Sequence, residues 1–309
     1  MTASSAAAVG SPGRAEAAAD GTPAGTSGPA PQPRPRAELP PPCTAGYSRL
    51  AEVLPELRVH PGPPRSGNGW VSGADLLHDP AALSRLIAFD ARQGLERYGR
   101  PLRPDVAAGF CLHRYCWPAG LLFTLPWFLE HRVPVLAPEA VSLRRRTGEL
   151  TARLGAFTCL PGDPAAALPG ALVVADEGAL RAALLAALTA HLDPVLSVFR
   201  PAVRRGPRTL WAMATDAVVE GLWYVGGLLG EEERAVAALR DLLPDRGRGT
   251  APFASGTGFD AGASGEDTCD GESLGARTRT RTRTRASCCL LYTARPETSC
   301  FGCPRAARG

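Results

Sequence analysis

Pro104 to Glu130 reads PDVAAGFCLHRYCWPAGLLFTLPWFLE, and this stretch decides what kind of fold the chain can adopt. Apolar residues fall on every side of a helical projection, so a helix here has little polar face for solvent and runs through a core. Pro118 and Pro126 each remove a backbone donor and crowd the preceding turn, so the expectation is a helical stretch broken at both. Cys111, His113 and Cys116 lie within it. Thiols five residues apart on a helix stand about 140° apart in projection and chelate one ion poorly. Both read as core cysteines.

On the N-terminal side, Tyr47 to Leu54 reads as a short helix and Pro61 to Gly73 as a Gly/Pro-rich loop. Asp75 to Tyr98 carries Leu76, Leu77, Leu83, Leu86, Ile87, Ala91 and Leu95 at helical spacing. Asp79-Pro80 restarts that helix, with Asp79 as N-cap and Pro80 in the first turn. On the C-terminal side, Val133 to Leu136, Ala140 to Arg144, Leu150 to Leu160 and Ala171 to Ala175 are strand-like. Helices then follow over Glu177–His191, Pro194–Val203, Thr209–Leu229 and Glu231–Leu243, with Asp193-Pro194 and Gly230 as boundaries. On the helix from 209, the residues Trp211, Thr215, Val218, Val219 and Leu222 share one face and read as core. The expectation is an α+β fold: a mostly helical domain with a small antiparallel sheet over 43–243.

The flanks differ in composition. Residues 1–42 are rich in Ala, Gly, Pro, Ser and Thr, bury too little to offset ordering entropy, and read as a disordered tail. Residues 244–286 read as a flexible low-complexity linker, ending in the alternation R-T-R-T-R-T-R-T-R over 277–285. With no apolar face, that run reads as solvated. Its arginines also precede a cysteine cluster, where positive charge would raise a redox potential or attract an acidic electron donor.

All 34 basic residues are arginine. With the abundant Ala, Gly and Pro this looks like GC-rich coding bias, and at a net charge of +4 nothing points to nucleic acid. Arg200, Arg204, Arg205 and Arg208 read as a solvated face that can also take an anionic chelate or donor. No run reaches the roughly 20 apolar residues of a membrane span, and no secretory signal opens the chain. The expectation is a cytoplasmic protein, in which clustered thiols stay reduced and mean metal or redox work. H-E-x-x-H, G-x-S-x-G, P-loop and G-x-G-x-x-G motifs are all missing, so hydrolase, NTPase and Rossmann-type readings have no support.

Chemistry concentrates at 287–309. Ser287-Cys288-Cys289-Leu290-Leu291-Tyr292 and Ser299-Cys300-Phe301-Gly302-Cys303-Pro304 set four thiols in the pattern C-C-x10-C-x2-C. Cys300 and Cys303 form a tight chelate on a turn that Gly302 leaves free to fold. Cys288 and Cys289 are adjacent, so they reach one centre only if the backbone twists between them. Three chemistries use such a set. Structural zinc takes four thiolates at one tetrahedral ion, usually from two x2-spaced pairs. Disulfides need an oxidising compartment. A 2Fe–2S cluster spreads four thiolates over two irons, a wider target that suits divergent ligands.

The adjacent pair, the aromatic at Tyr292 and the terminal C-x-x-C resemble the signature of the FhuF-like ferric siderophore reductases. The resemblance is close over 287–304 and general, in size and helical character, over 43–243. The six residues Thr293 to Thr298 lack the glycines that the family pattern carries between its halves. The resemblance implies that Cys288, Cys289, Cys300 and Cys303 bind a 2Fe–2S cluster. It also implies a ferric siderophore as substrate. With no nicotinamide or flavin motif, electrons would come from an external donor, a ferredoxin or a flavoprotein reductase.

Overall fold

The computed structural model describes residues 41–244, 252–259, 265–266, 278–279, 282–297, 300 and 302–305. The disorder expected over 1–42 falls, apart from its last two residues, outside the described residues. The chain forms α1 (Thr44–Val53), β1 (Arg58–Pro61), β2 (Trp70–Ser72), α2 (Gly73–His78), α3 (Pro80–Tyr98) and α4 (Pro104–Glu130). Next come β3 (Arg132–Pro134), β4 (Val141–Arg144), β5 (Glu149–Ala152), β6 (Phe157–Cys159) and β7 (Ala171–Val173). Three long helices close the domain: α5 (Glu177–Val203), α6 (Pro207–Leu228) and α7 (Glu232–Leu242). A mostly helical α+β domain is the result.

α4 is the axis, packed by α1, α3, α5 and α6. It does not break at Pro118 or Pro126, and α5 likewise continues through Pro194. Each interior proline costs a helix about 3 kcal/mol. On α4, Leu112, Leu121, Leu122, Phe123, Leu125 and Phe128 are all buried, at about 1.5–3 kcal/mol apiece. Tertiary burial therefore outweighs the local penalty, and the expected interruptions do not occur. The Asp79-Pro80 boundary does: the Asp79 carboxylate accepts from the Ala81 N–H at 2.9 Å and Pro80 opens α3. Just upstream, Ser72 and Asp75 form a reciprocal capping box that starts α2.

The sheet content is mixed and divided, where the sequence suggested one antiparallel sheet. One sheet has the order β1-β5-β4-β2, with β1 parallel to β5 and the other pairs antiparallel. The second has the order β3-β6-β7, with β6 parallel to β7. The strand-like run 150–160 thus splits between the two sheets. β1 and β2 lie in or beside the Gly/Pro-rich segment, where turn residues hide four- and three-residue strands from pattern reading.

Cys111 and Cys116 are buried in the main hydrophobic core. Cys43 and Cys159, far apart in sequence, meet in a satellite cluster with Phe157 and Ala165. α5 is long and apolar enough by composition to reach across a bilayer. That modifies the reading of no such run, because Pro194 and the charges at Arg181 and Asp193 mask its length in the sequence. Its face from Leu180 through Leu184, Leu188, Leu192 and Val195 to Phe199 is buried.

Candidate functional site

The site is assembled where α4 and α6 run together, and its organiser is Asp216. Asp216 and Glu220 are one helical turn apart on α6 and share a face. The Asp216 side chain is fully buried. Arg283 donates to its Oδ1 at 2.5 Å, and the Ala286 N–H to the same oxygen at 2.8 Å. Ser287 donates its N–H at 2.8 Å and its hydroxyl at 2.6 Å to Oδ2. Glu220 takes a second Arg283 bond at 3.0 Å and stands 3.2 Å from Arg285 Nε. One buried carboxylate therefore holds Arg283, Ala286 and Ser287, all within the five residues that precede Cys288.

The reading of the arginine–threonine run as solvated is corrected at its end. Arg283 is only 3% exposed, because two carboxylates from more than sixty residues away and the Thr257 carbonyl satisfy its guanidinium. A buried cation with a full set of acceptors needs no apolar face. The start of the linker span is anchored as well. Phe253 packs edge-on against Trp211 at 5.0 Å and Phe259 against Trp223 at 5.1 Å. Ala254 donates to the Thr215 hydroxyl at 3.0 Å. Residues 252–259 thus line α6 and offer the Gly258 carbonyl to the Thr284 N–H at 2.7 Å.

Beyond the anchor, the two halves of the cysteine motif come together. The Arg285 N–H donates to the Gly302 carbonyl at 2.8 Å, joining the tail's entry to the C-x-x-C turn. Within that turn the Cys303 N–H donates to the Cys300 carbonyl at 3.1 Å. Gly302 has φ +64°, and a β-carbon there would sit 2.1 Å from the Arg283 carbonyl oxygen. Strain in that backbone region costs about 1–3 kcal/mol, and the steric conflict adds to it. We therefore expect Gly302→Ala to loosen the C-x-x-C turn while helical content stays unchanged. Hydrogen exchange of the 300–305 segment checks this.

The Cys300 thiol donates to Cys289, which pulls the Cys289 pKa down to about 6 against burial; Arg285 and the Leu291 N–H assist. The same bond and burial push Cys300 far above the usual thiol range, and Cys303 adds to the rise. Cys289, Cys300 and Cys303 are thus electrostatic neighbours. All four predicted ligands are free thiols of intermediate exposure. Among the described residues, however, no three His, Cys, Asp or Glu side chains converge at metal-holding distance. The fold pairs one thiol from each half of the motif and does not gather the complete set.

Two features nevertheless fit an anionic iron–thiolate group. Cys289 offers thiolate character at neutral pH, and beside it lies the buried guanidinium of Arg285, whose Nε makes no hydrogen bond and pairs with the Glu220 carboxylate at 3.2 Å. Arg285 senses the charge of both Cys289 and Cys300. His113 from α4 completes the surroundings, its Nδ1 lying 3.4 Å from Arg285 Nη2. Burial and the Arg285 charge hold its pKa down to about 3, so the imidazole is neutral. At the far end Arg305 stacks over Tyr292 at 4.2 Å, closing the motif on itself.

Sequence reasoning placed the four cysteines but missed Asp216, Glu220 and the role of His113. The available signal was a pair of carboxylates at i and i+4 on an otherwise apolar helix face. No protein-family model matches this chain, and no curated protein matches it.

Proposed function

We propose that the protein is a 2Fe–2S ferric siderophore reductase of the cytoplasm. The observation that carries this reading is the docked C-C-x10-C-x2-C tail, in which Cys289 contacts Cys300 beside the positively charged guanidinium of Arg285. Cys288, Cys289, Cys300 and Cys303 are the proposed ligands. A bound cluster supplies one electron at a time. Hard chelator oxygens hold Fe(III) far better than Fe(II), so a one-electron reduction labilises the iron, and no acid, base or nucleophile is needed.

The chain's own part is electrostatic and positional. Asp216 fixes the tail's entry, and Gly302 lets the C-x-x-C turn close under Arg285. Arg285 favours the added negative charge of a reduced centre. Electrons arrive from a separate donor protein, a ferredoxin or a flavoprotein.

The test is to reduce the protein anaerobically, remove the reductant, add a ferric siderophore and trap the product iron with a ferrous chelator. We expect about one Fe(II) per reduced cluster. A visible cluster that yields no Fe(II) from any ferric chelate would make the protein an electron carrier or sensor. A colourless protein holding zinc would make it a zinc-stapled binding domain.

A further inference from the structure

A cavity of about 300 Å³ opens between α3 and the β4–β5 turn, lined by Phe89, Arg92, Gln93, Glu96, Arg145 and Arg146. Three guanidinium groups face it against one carboxylate, so its charge is net positive. Arg92 and Arg146 are exposed and have no carboxylate partner among the described residues. Arg92 is steadied over the Phe89 ring at 5.9 Å. Arg145 is more constrained: its Nη2 donates to the buried Asp90 at 3.1 Å, and its Nε is buried without an acceptor. Asp90 also receives Arg114 from α4 at 2.5 Å, which fixes the guanidinium framework from below.

We infer that this cavity binds a multiply charged oxyanion through Arg92, Arg145 and Arg146. Guanidinium forks match carboxylate and phenolate oxygens, and an unfilled buried N–H is a cost that such a ligand removes. The volume suits a small polyanion or one arm of a larger chelate. The place is informative too. Arg114, which props up the cavity, neighbours His113 on α4, and His113 contacts Arg285 at the cysteine site. Resting on the reductase reading, the oxyanion is the carboxylate or catecholate part of a negatively charged ferric chelate. A cationic hydroxamate chelate meets three guanidinium groups against the single carboxylate of Glu96 and is repelled.

Calorimetric titration of the full chain tests this with three probes: ferric citrate, metal-free citrate and a cationic ferric hydroxamate. We expect ferric citrate to bind, added salt to weaken it, and the double change Arg92→Glu with Arg146→Glu to raise its Kd about ten-fold or more. Arg49→Glu, on the exposed face of α1 and outside the cavity lining, leaves it unchanged. If the double variant melts early, Arg146→Gln alone at its exposed turn position replaces it, with a smaller rise expected. Tighter binding of ferric citrate than of citrate identifies the chelate as the ligand, and equal binding identifies a free polycarboxylate. No binding by the native chain, or binding that ignores both arginine changes, overturns the inference. Because the readout needs no cluster, a colourless protein that binds ferric citrate sinks only the reductase reading. Iron reduction that ignores Arg92 and Arg146 sinks only the cavity.

Discussion

Asp216→Asn is expected to free the cysteine tail from α6 while the helical domain stays folded. The native carboxylate accepts from two backbone N–H groups, the Ser287 hydroxyl and the Arg283 guanidinium. An amide of the same shape turns one acceptor into a donor that faces donors, and leaves Arg283 with Glu220 alone as counter-charge. Removing one partner of a buried ion pair costs about 3–5 kcal/mol, several times what an exposed pair contributes. Hydrogen exchange across 282–289 and proteolysis of the tail report the release, and circular dichroism reports the intact helices. Full protection of that segment in the variant would contradict this reading of the anchor.

The same anchor has a pH signature. Burial alone would raise the Asp216 pKa, but Arg283, Arg285 and the hydrogen bonds from Ser287 and Ala286 outweigh it and hold it below the ordinary 3.8. A carboxylate depressed in the folded state contributes stability in full above its unfolded value. It loses that contribution as pH falls through the folded value. The tail therefore stays docked through mildly acidic solution and is released only below about pH 4.

Cys289→Ser and Cys300→Ser are each expected to abolish cluster binding. These are the two thiols already in contact, one from each half of the motif, and a serine hydroxyl is a poor substitute for a thiolate on iron. The far-ultraviolet spectrum should not change, because neither thiol belongs to the hydrophobic core. Cys111→Ala and Cys43→Ala supply the contrast. Both thiols are buried, and burial pushes their pKa values up, the opposite of what a ligand needs. Those changes should alter thermal stability and leave visible absorption as it was. A variant lacking Cys111 that loses the chromophore would redraw the ligand set.

Much of this molecule was legible in its sequence, and the failures share a cause. The helical period of α3, the Asp79-Pro80 cap and the Trp211–Leu222 face are local patterns, and local patterns survived. The unbroken α4 was not legible, because two prolines forecast a break that only burial on all sides could outweigh. β1 and β2 were hidden for the same reason, since they gain their order from β5 and β4. At the site, spacing alone singled out Cys288, Cys289, Cys300 and Cys303. Nothing local could announce that Arg283 leaves solvent, because its acceptors are Asp216 and Glu220, far away on α6. Phe253 and Phe259 are likewise lone aromatics in a polar segment, with no period to mark them as anchors of α6.

The measurement that bears most directly on the central claim is the visible spectrum of protein purified without oxygen, with iron and acid-labile sulfide counted on the same sample. The iron–sulfur reading requires broad bands between roughly 400 and 600 nm, about two irons and two sulfides per chain, and loss of all three in Cys288→Ser. A colourless protein carrying a single zinc ion on the same four cysteines would contradict it.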